Sequence, residues 1–158
     1  MSDYLVRLYD LPPLQPIIEY QKTQGVDIRR SLTPEKFVVI NWIRDNISPR
    51  YASECEAAFA HHPVSCFIAT KNNEILGFAC YDATYKDFFG PTELLEPARG
   101  KGIGKALLLA CLHDMAAQGY AYAIIGRADA DAITFYEKVV GAVEIKQSDP
   151  GIYRGMLA

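Results

Sequence analysis

The sequence has no excess of positive charge and no hydrophobic segment long enough to span a bilayer. Its 16 Lys and Arg residues are outnumbered by 19 Asp and Glu residues, which gives a net charge of −3. This balance argues against a general nucleic-acid binder, which would show a basic excess. No apolar run approaches the roughly 20 residues that a transmembrane helix needs, and the first residues lack the pattern of a signal peptide. We therefore expect a cytoplasmic protein with no nucleic-acid or membrane partner.

The sequence also lacks closely spaced cysteines. Its four cysteines are Cys55, Cys66, Cys80 and Cys111, and no two of them form a C-x-x-C pair. Metal sites and redox motifs usually show close spacing, so the pattern predicts no metal site. Three of the four lie in apolar runs, which favours buried free thiols.

No repeat or low-complexity linker divides the 158 residues, and this length suits one domain. Apolar periodicity and turn residues predict a mixed α/β domain. The predicted strands are 3–9, 66–69, 75–81, 87–95, 120–125 and 142–146, with a further edge strand at 153–158. The predicted helices are 17–24, 34–46, 50–61, 102–118 and 131–139. Gly90-Pro91 predicts a bulge or bend within the strand 87–95.

Three glycines alternate with other residues in the segment Arg99-Gly100-Lys101-Gly102-Ile103-Gly104, directly before an apolar helix. Glycine lets the backbone turn tightly and approach a ligand closely. A helix that begins there directs its unpaired N–H groups and the positive end of its dipole at the loop. Arg99, Lys101 and Lys105 add cationic donors. The segment therefore predicts a site for an anion, such as a phosphate or pyrophosphate.

Two familiar phosphate loops do not fit this segment. A P-loop requires Ser or Thr after Gly-Lys, but Ala106 follows Gly104-Lys105. A dinucleotide-binding loop requires G-x-G-x-x-G, and here the third glycine comes one residue early. The sequence supports neither ATP hydrolysis nor NAD binding.

The order of motifs and elements resembles the GNAT acetyltransferase superfamily over residues 65–147. The family signature R/Q-x-x-G-x-G/A is followed downstream by N-x-x-A-x-x-x-Y-E-K. The residues that match the two motifs are Arg99, Gly102 and Gly104, then Ala132, Tyr136, Glu137 and Lys138. The resemblance implies a single GNAT-like α/β domain over 1–158, with a mixed, mostly antiparallel central sheet flanked by helices. Residues 1–64 would shape the acceptor site, and residues 65–147 would form the CoA-binding core.

The resemblance further implies an N-acetyltransferase that moves an acetyl group from acetyl-CoA directly to a primary amine. The acceptor would be a small molecule or a peptide, and a homodimer is one option because dimers are common in such families. The residues implied to hold CoA are Leu94, Leu95, Arg99, Gly100, Lys101, Gly102, Ile103, Gly104 and Lys105. The alternative is a non-catalytic CoA-binding or sensory module that has lost its acceptor chemistry.

Tyr136 is the candidate proton donor to the leaving sulfur, because the matching tyrosine has this role in the family. A phenol with a pKa near 10 is protonated at neutral pH and can donate; the competing interpretation is a core tyrosine beside Phe135. The acceptor amine must be neutral to attack, which requires a base. Glu93 is the leading candidate, with Asp87 and Asp82 as weaker ones.

Two departures from the family pattern affect the second motif. Asp129 stands where the family usually has asparagine, which removes an amide donor. Between Tyr136 and Gly141 there is one residue more than usual, which predicts a longer helix or a bulged exit.

Overall fold

Seven strands and five helices account for most of residues 1–157, which the computed structural model describes. The strands are Asp3–Arg7 (β1), Asp27–Arg30 (β2), Cys66–Lys71 (β3), Glu74–Tyr81 (β4), Phe88–Leu94 (β5), Tyr122–Ile125 (β6) and Val143–Ile145 (β7). The helices are Gln15–Thr23 (α1), Lys36–Asn46 (α2), Pro49–Ala58 (α3), Ile103–Ala117 (α4) and Ala130–Val140 (α5).

The strands form one sheet in the order β2-β3-β4-β5-β6-β1-β7. All neighbours are antiparallel except β5 and β6, which run parallel. Parallel neighbours need a crossover connection, and α4 supplies it here. The mixed, mostly antiparallel sheet flanked by helices is confirmed.

A bulge interrupts β5 where the sequence predicts it. A step of two residues on β4, from Ala79 to Tyr81, pairs with a step of three on β5, from Thr92 to Phe89. The additional residue lies at Gly90-Pro91. Gly90 has a φ of 113°, a value that residues other than glycine rarely adopt.

The parallel pairing of β5 with β6 ends at this bulge. Only Phe88 with Ile124 and Phe89 with Ile125 are in register, and beyond them the two strands separate. The sheet therefore has an open cleft between residues 90–94 and the end of β6.

Helix α4 fills one face of the sheet. Nine of its residues are buried, including Leu107, Leu109 and Leu112, and each fully buried leucine stabilises the fold by about 1.5–3 kcal/mol. On the opposite face, α2 and α3 cover a second apolar cluster that includes Ile43 and Phe78. The core thus places the start of α4 rigidly beside the cleft.

Strand β2 is absent from the sequence prediction because its residues are mostly charged. Only Ile28 is buried. Arg29 forms two hydrogen bonds with Glu35, at 2.6 and 2.8 Å, and Arg30 binds both oxygens of Asp114 in α4. Partners in other elements neutralise these charges, one of them 84 residues away, and local periodicity does not reveal them.

The predicted edge strand at 153–158 is wrong for the residues that are described. Gly151–Tyr153 form a short 3-10 turn, and no strand follows through residue 157; Ala158 lies outside the described residues. Gly155, with a φ of 73°, turns the chain away from an extended path. Within residues 1–157, no helix combines the length and apolar character needed to cross a membrane.

Candidate functional site

A cavity of about 700 Å³ occupies the cleft where β5 and β6 separate. Its walls come from residues 89–94 of β5, the glycine segment, the end of β6 and α5, with Tyr51 from α3. Two sequence motifs that lie about 30 residues apart are therefore brought to the same cavity.

The glycine segment presents a row of unpaired donors beside this cavity. Gly100 and Gly102 have φ values of 76° and 80°, a left-handed conformation that favours glycine. Gly102 precedes α4 without a capping side chain. Within the described residues, the six N–H groups of residues 100–105 donate to no backbone or side-chain acceptor. Such a run of N–H groups at a helix N-terminus fits a phosphate or pyrophosphate.

Gln21 of α1 supports this segment from its other side. Its side chain is 1% exposed, and Nε2 donates to the carbonyl oxygen of Lys101 at 2.9 Å. A buried hydrogen bond of this kind fixes the turn that presents the N–H groups. Sequence reasoning missed Gln21, and its one signal was a glutamine four residues after Ile17 on the apolar side of a short helix.

The residues predicted to hold CoA divide between two cavities. Those that line the large cavity are Leu94, Arg99, Gly100, Gly102, Gly104 and Lys105. Leu95, Lys101 and Ile103 instead line a separate cavity of about 410 Å³, together with Gln21. The N–H of Leu95 already donates to Leu76 in β4 at 2.8 Å, so this N–H belongs to the sheet.

Tyr136 projects from α5 into the wall of the large cavity. Its ring packs edge-on against Phe89, at 6.3 Å between centroids, and at a tilt against Phe135, at 5.4 Å. No group within residues 1–157 hydrogen-bonds its hydroxyl. Burial, reinforced by Tyr51, Asp129 and Glu93, raises the pKa of Tyr136 above its usual value. The phenol is therefore protonated at neutral pH and available as a donor.

Glu93 lines the same cavity from β5. Its Oε1 accepts from the Leu94 N–H at 3.1 Å and from Arg99 at 3.2 Å. Its Oε2 has no partner among the described residues, so one carboxylate oxygen remains available to accept a proton. The contact with Arg99 also ties Glu93 to the first residue of the glycine segment.

The two weaker base candidates lie elsewhere. Neither Asp82 nor Asp87 lines the large cavity. Asp82 accepts from the Asp87 N–H at 2.7 Å and from the Tyr120 hydroxyl at 2.8 Å. Burial, followed by the charge of Asp82, raises the pKa of Asp87 to about 6. These carboxylates belong to the turn between β4 and β5, because both have positive φ angles that favour a tight turn.

The structure accommodates both departures in the second motif. Asp129 is the N-cap of α5, and its carboxylate accepts from the Ala132 N–H at 2.8 Å. The capping bond needs an acceptor, which aspartate supplies as well as asparagine. The additional residue lengthens α5 to Val140, and Gly141 then ends the helix with a φ of 64°. Tyr136 still reaches the cavity.

Three of the four cysteines meet in the core, which their spacing in the sequence did not indicate. Cys66 and Cys80 are cross-strand partners, and the sulfur of Cys55 lies 3.7 and 3.5 Å from theirs. Three thiols at this spacing have the chemistry to hold a soft metal ion. They are fully buried in the apolar cluster beneath α2 and α3, and none of them lines the large cavity.

Comparison with known proteins places this geometry in a family. The profile of the Acetyltransferase (GNAT) family matches residues 26–142, which is most of the chain. No curated protein matches the sequence as a relative.

Solved structures with the same fold are distant in sequence. The GCN5-related glucosamine N-acetyltransferase region of a fungal multi-domain GH3 β-N-acetylglucosaminidase superposes with a TM-score of 0.72 at 12% identity, over 91% of this chain and 19% of that one. A GCN5-related N-acetyltransferase from Sphaerobacter thermophilus gives 0.65 at 15% identity, over 91% of this chain and 48% of that one. A putative GNAT acetyltransferase from Desulfovibrio desulfuricans gives 0.51 at 19% identity, over 72% and 83%. This chain thus spans less than half the length of the first two proteins, and the likeness to all three shows the fold.

Proposed function

The chain belongs to the acetyltransferase (GNAT) family, and on that premise we propose that it moves an acetyl group from acetyl-CoA to a primary amine. The observation that carries the proposal is the row of unpaired N–H groups at residues 100–105, beside a cavity that also contains Tyr136 and Glu93. Bound acetyl-CoA would supply an activated acetyl group and leave as the free thiol.

The glycine segment is the proposed binding site for the pyrophosphate. Its unpaired N–H groups are the kind of donor that phosphate oxygens accept from, and Lys105 adds a positive charge at the cavity wall. The cleft between β5 and β6 is the proposed path of the pantetheine arm. Among the described backbone groups on this path, the Leu94 N–H is bonded only to the side chain of Glu93, so a ligand carbonyl can compete for it.

Tyr136 is proposed to donate a proton to the departing sulfur. Its hydroxyl has no protein partner to give up within residues 1–157, and its raised pKa keeps the hydroxyl protonated at neutral pH. General acid catalysis by one positioned side chain typically contributes a factor of about 10²–10⁴ in rate.

Glu93 is proposed to accept the proton that the amine loses when it attacks the acetyl carbon. Its Oε2 is available, while Arg99 and the Leu94 N–H hold Oε1. Asp129 and Glu54 also carry carboxylates at the large cavity or at its neighbour. The loss of rate in Glu93→Gln, Asp129→Asn and Glu54→Gln shows which of the three carboxylates accepts the proton. Glu93→Gln should lower kcat, because the proton that the amine loses on attack then has no carboxylate acceptor at this position.

The proposal is tested by titration of the protein with CoA and by thiol release from acetyl-CoA in the presence of a panel of amines. We expect saturable CoA binding, amine-dependent thiol release and an N-acetylated product in mass spectra. Tyr136→Phe should lower kcat by about 10²-fold or more and leave the Kd for CoA nearly unchanged. Tyr122→Phe, on β6 and outside the cavity, is the matched control. Tight CoA binding with no turnover of any amine would instead identify a non-catalytic binding module.

A further inference from the structure

A third cavity, also of about 410 Å³ and distinct from the one that Gln21 lines, adjoins the large cavity. The two share a wall at the bulge of β5, formed by Tyr51, Phe89, Gly90, Pro91, Gly126, Arg127 and Asp129. The remaining walls include other residues of α3 and Tyr153 near the end of the described chain. An acceptor seated here would meet the acetyl group at the bulge.

Arg127 faces this cavity with an incomplete set of partners. Its guanidinium stacks on the Tyr153 ring, with 4.8 Å from Cζ to the ring centroid, and its backbone N–H donates to Asp3 at 3.1 Å. Its Nε is buried and has no acceptor among the described residues. A buried N–H without an acceptor is costly, which indicates a ligand that supplies one.

Arg50, in the first turn of α3, lines the same cavity and also lacks a carboxylate partner within residues 1–157. The one contact of its guanidinium is with the sulfur of Met156, at 3.9 Å. By contrast, Arg29, Arg30 and Arg99 each bind a carboxylate of the chain. Two guanidinium groups without carboxylate partners therefore meet at one cavity. Guanidinium groups bind carboxylates through paired hydrogen bonds.

Two carboxylates line the cavity as well and offset the two guanidinium groups, while the ammonium of Met1, which also lines it, is paired with Asp149 at 3.5 Å. Glu54 accepts from Thr84 at 2.7 Å, and Asp129 caps α5. A neutral amine lacking other charges would leave both arginines unmatched, and a doubly charged anion would be repelled by the two carboxylates. A ligand with one ammonium and one carboxylate group matches both pairs.

We propose that the acceptor is a small amine that also carries a carboxylate, of the amino-acid type, with Arg50 and Arg127 as its carboxylate-binding residues. This inference rests on the proposed function. Asp129 lines both cavities, whereas Arg50 lines only the smaller of the two, so the amine of the acceptor lies toward Asp129 and its carboxylate toward Arg50. Arg127 lies in the wall that the two cavities share and reaches the carboxylate from there.

The experiment compares matched acceptors: free amino acids, their carboxamides, the amines left by removal of the carboxylate, and an aminoalkyl phosphate. We expect at least one amino acid to exceed its carboxamide and its decarboxylated amine by tenfold or more in kcat/KM. Equal or faster reaction of the decarboxylated amines, or preference for the phosphate, would overturn the inference while leaving the acetyltransferase activity established. If no amine reacts, the same compounds are titrated calorimetrically into the CoA-loaded protein. The inference then requires the amino acid to bind more tightly than its carboxamide and its decarboxylated amine, and equal or weaker binding would overturn it.

Single substitutions test which arginines bind the carboxylate of the acceptor. Arg50→Gln and Arg127→Gln should each raise KM for the preferred amino acid about tenfold, and change kcat/KM for its decarboxylated amine less than twofold. Arg44→Gln removes a guanidinium from the exposed face of α2 and is the matched control. Arg127 has a φ of 50° and its N–H bonds Asp3, so its variant must first be shown to fold. Arg50 is exposed on a helix, and an unchanged KM in Arg50→Gln would overturn its assignment.

Discussion

Gly102 and Gly104 lie two residues apart in the same segment, and the structure predicts opposite effects when alanine replaces each. Gly102 has a φ of 80°, and a Cβ added there would lie 3.2 Å from Nε2 of Gln21. Gly104 lies in the first turn of α4 with ordinary helical geometry, and its Cβ would make a normal contact with Leu94 at 3.6 Å. The pair therefore separates backbone strain from the mere addition of a methyl group.

The expected magnitudes follow from the two conformations. An L-residue in the left-handed region costs about 1–2 kcal/mol, so Gly102→Ala should lower the free energy of unfolding by at least that amount. Replacing a helical glycine by alanine stabilises by about 0.5–1 kcal/mol. For a chain of this size, 1 kcal/mol corresponds to about 2–4 °C in Tm. Gly102→Ala should thus melt about 2–8 °C below the wild type, and Gly104→Ala about 1–4 °C above it.

The two variants should also differ in CoA binding. The Cβ at Gly102 must displace Gln21 or turn the segment, which misdirects the N–H groups of residues 100–105. Loss of one charge-assisted hydrogen bond, worth about 1.5–3 kcal/mol, raises Kd by about tenfold or more. Gly104→Ala should keep Kd within a few-fold, since the family signature accepts alanine at this position.

Urea denaturation, thermal melting and calorimetric titration with CoA measure all three quantities on the same preparations. The reasoning is refuted if Gly102→Ala is as stable as the wild type, because the left-handed turn would then be wrong. If the two variants differ in stability but bind CoA equally well, the left-handed turn is confirmed and the assignment of the pyrophosphate to this segment is wrong.

Three further predictions concern residues outside the reacting groups. Gln21→Met should lower the free energy of unfolding by about 1–3 kcal/mol and weaken CoA binding, as measured by urea denaturation and titration; unchanged CoA affinity would show that the Lys101 carbonyl needs no support. The pKa of Asp87 is raised to about 6, so the folded state binds its proton more tightly than the unfolded state and stability falls as pH rises from about 4 to about 6. Asp87→Asn should therefore raise Tm at pH 7.5 and have no effect near pH 4, and an equal gain at both would contradict the assignment. All four thiols are buried, and burial raises the pKa of Cys80 and Cys111. Ellman's reagent should therefore react with fewer than one thiol per native chain and with four in urea. Rapid reaction in the native protein would disprove this packing.

Local sequence patterns predicted the elements that bury apolar side chains regularly. Helix α4 and strands β3 and β4 have such patterns, and a polar turn fixes the hairpin between those two strands. Strand β2 escaped prediction because its arginines are neutralised by Glu35 and by Asp114, in other elements. A charge pair across 84 residues leaves no trace in local periodicity.

Some residues of the candidate site could likewise be predicted from local sequence patterns, and others could not. The glycine segment and Tyr136 could be predicted because each stands in a short motif whose spacing reflects helix geometry. Gln21 and Arg50 could not, because their importance depends on which element packs beside them. The meeting of Cys66 with Cys80 depends on strand register, which the sequence spacing does not contain.

The bulge at Gly90-Pro91 connects the two parts of the proposed reaction. It ends the parallel pairing of β5 with β6, and so opens the cleft for the donor. Gly90 and Pro91 also line the cavity proposed for the acceptor. Both cavities meet there, so the proposed amine and acetyl groups would approach each other across the shared wall, which includes Phe89, whose ring contacts Tyr136. Tyr136, the proposed proton donor, therefore lies beside this shared wall, and a strand without the additional residue would keep β5 paired with β6 and close the cleft.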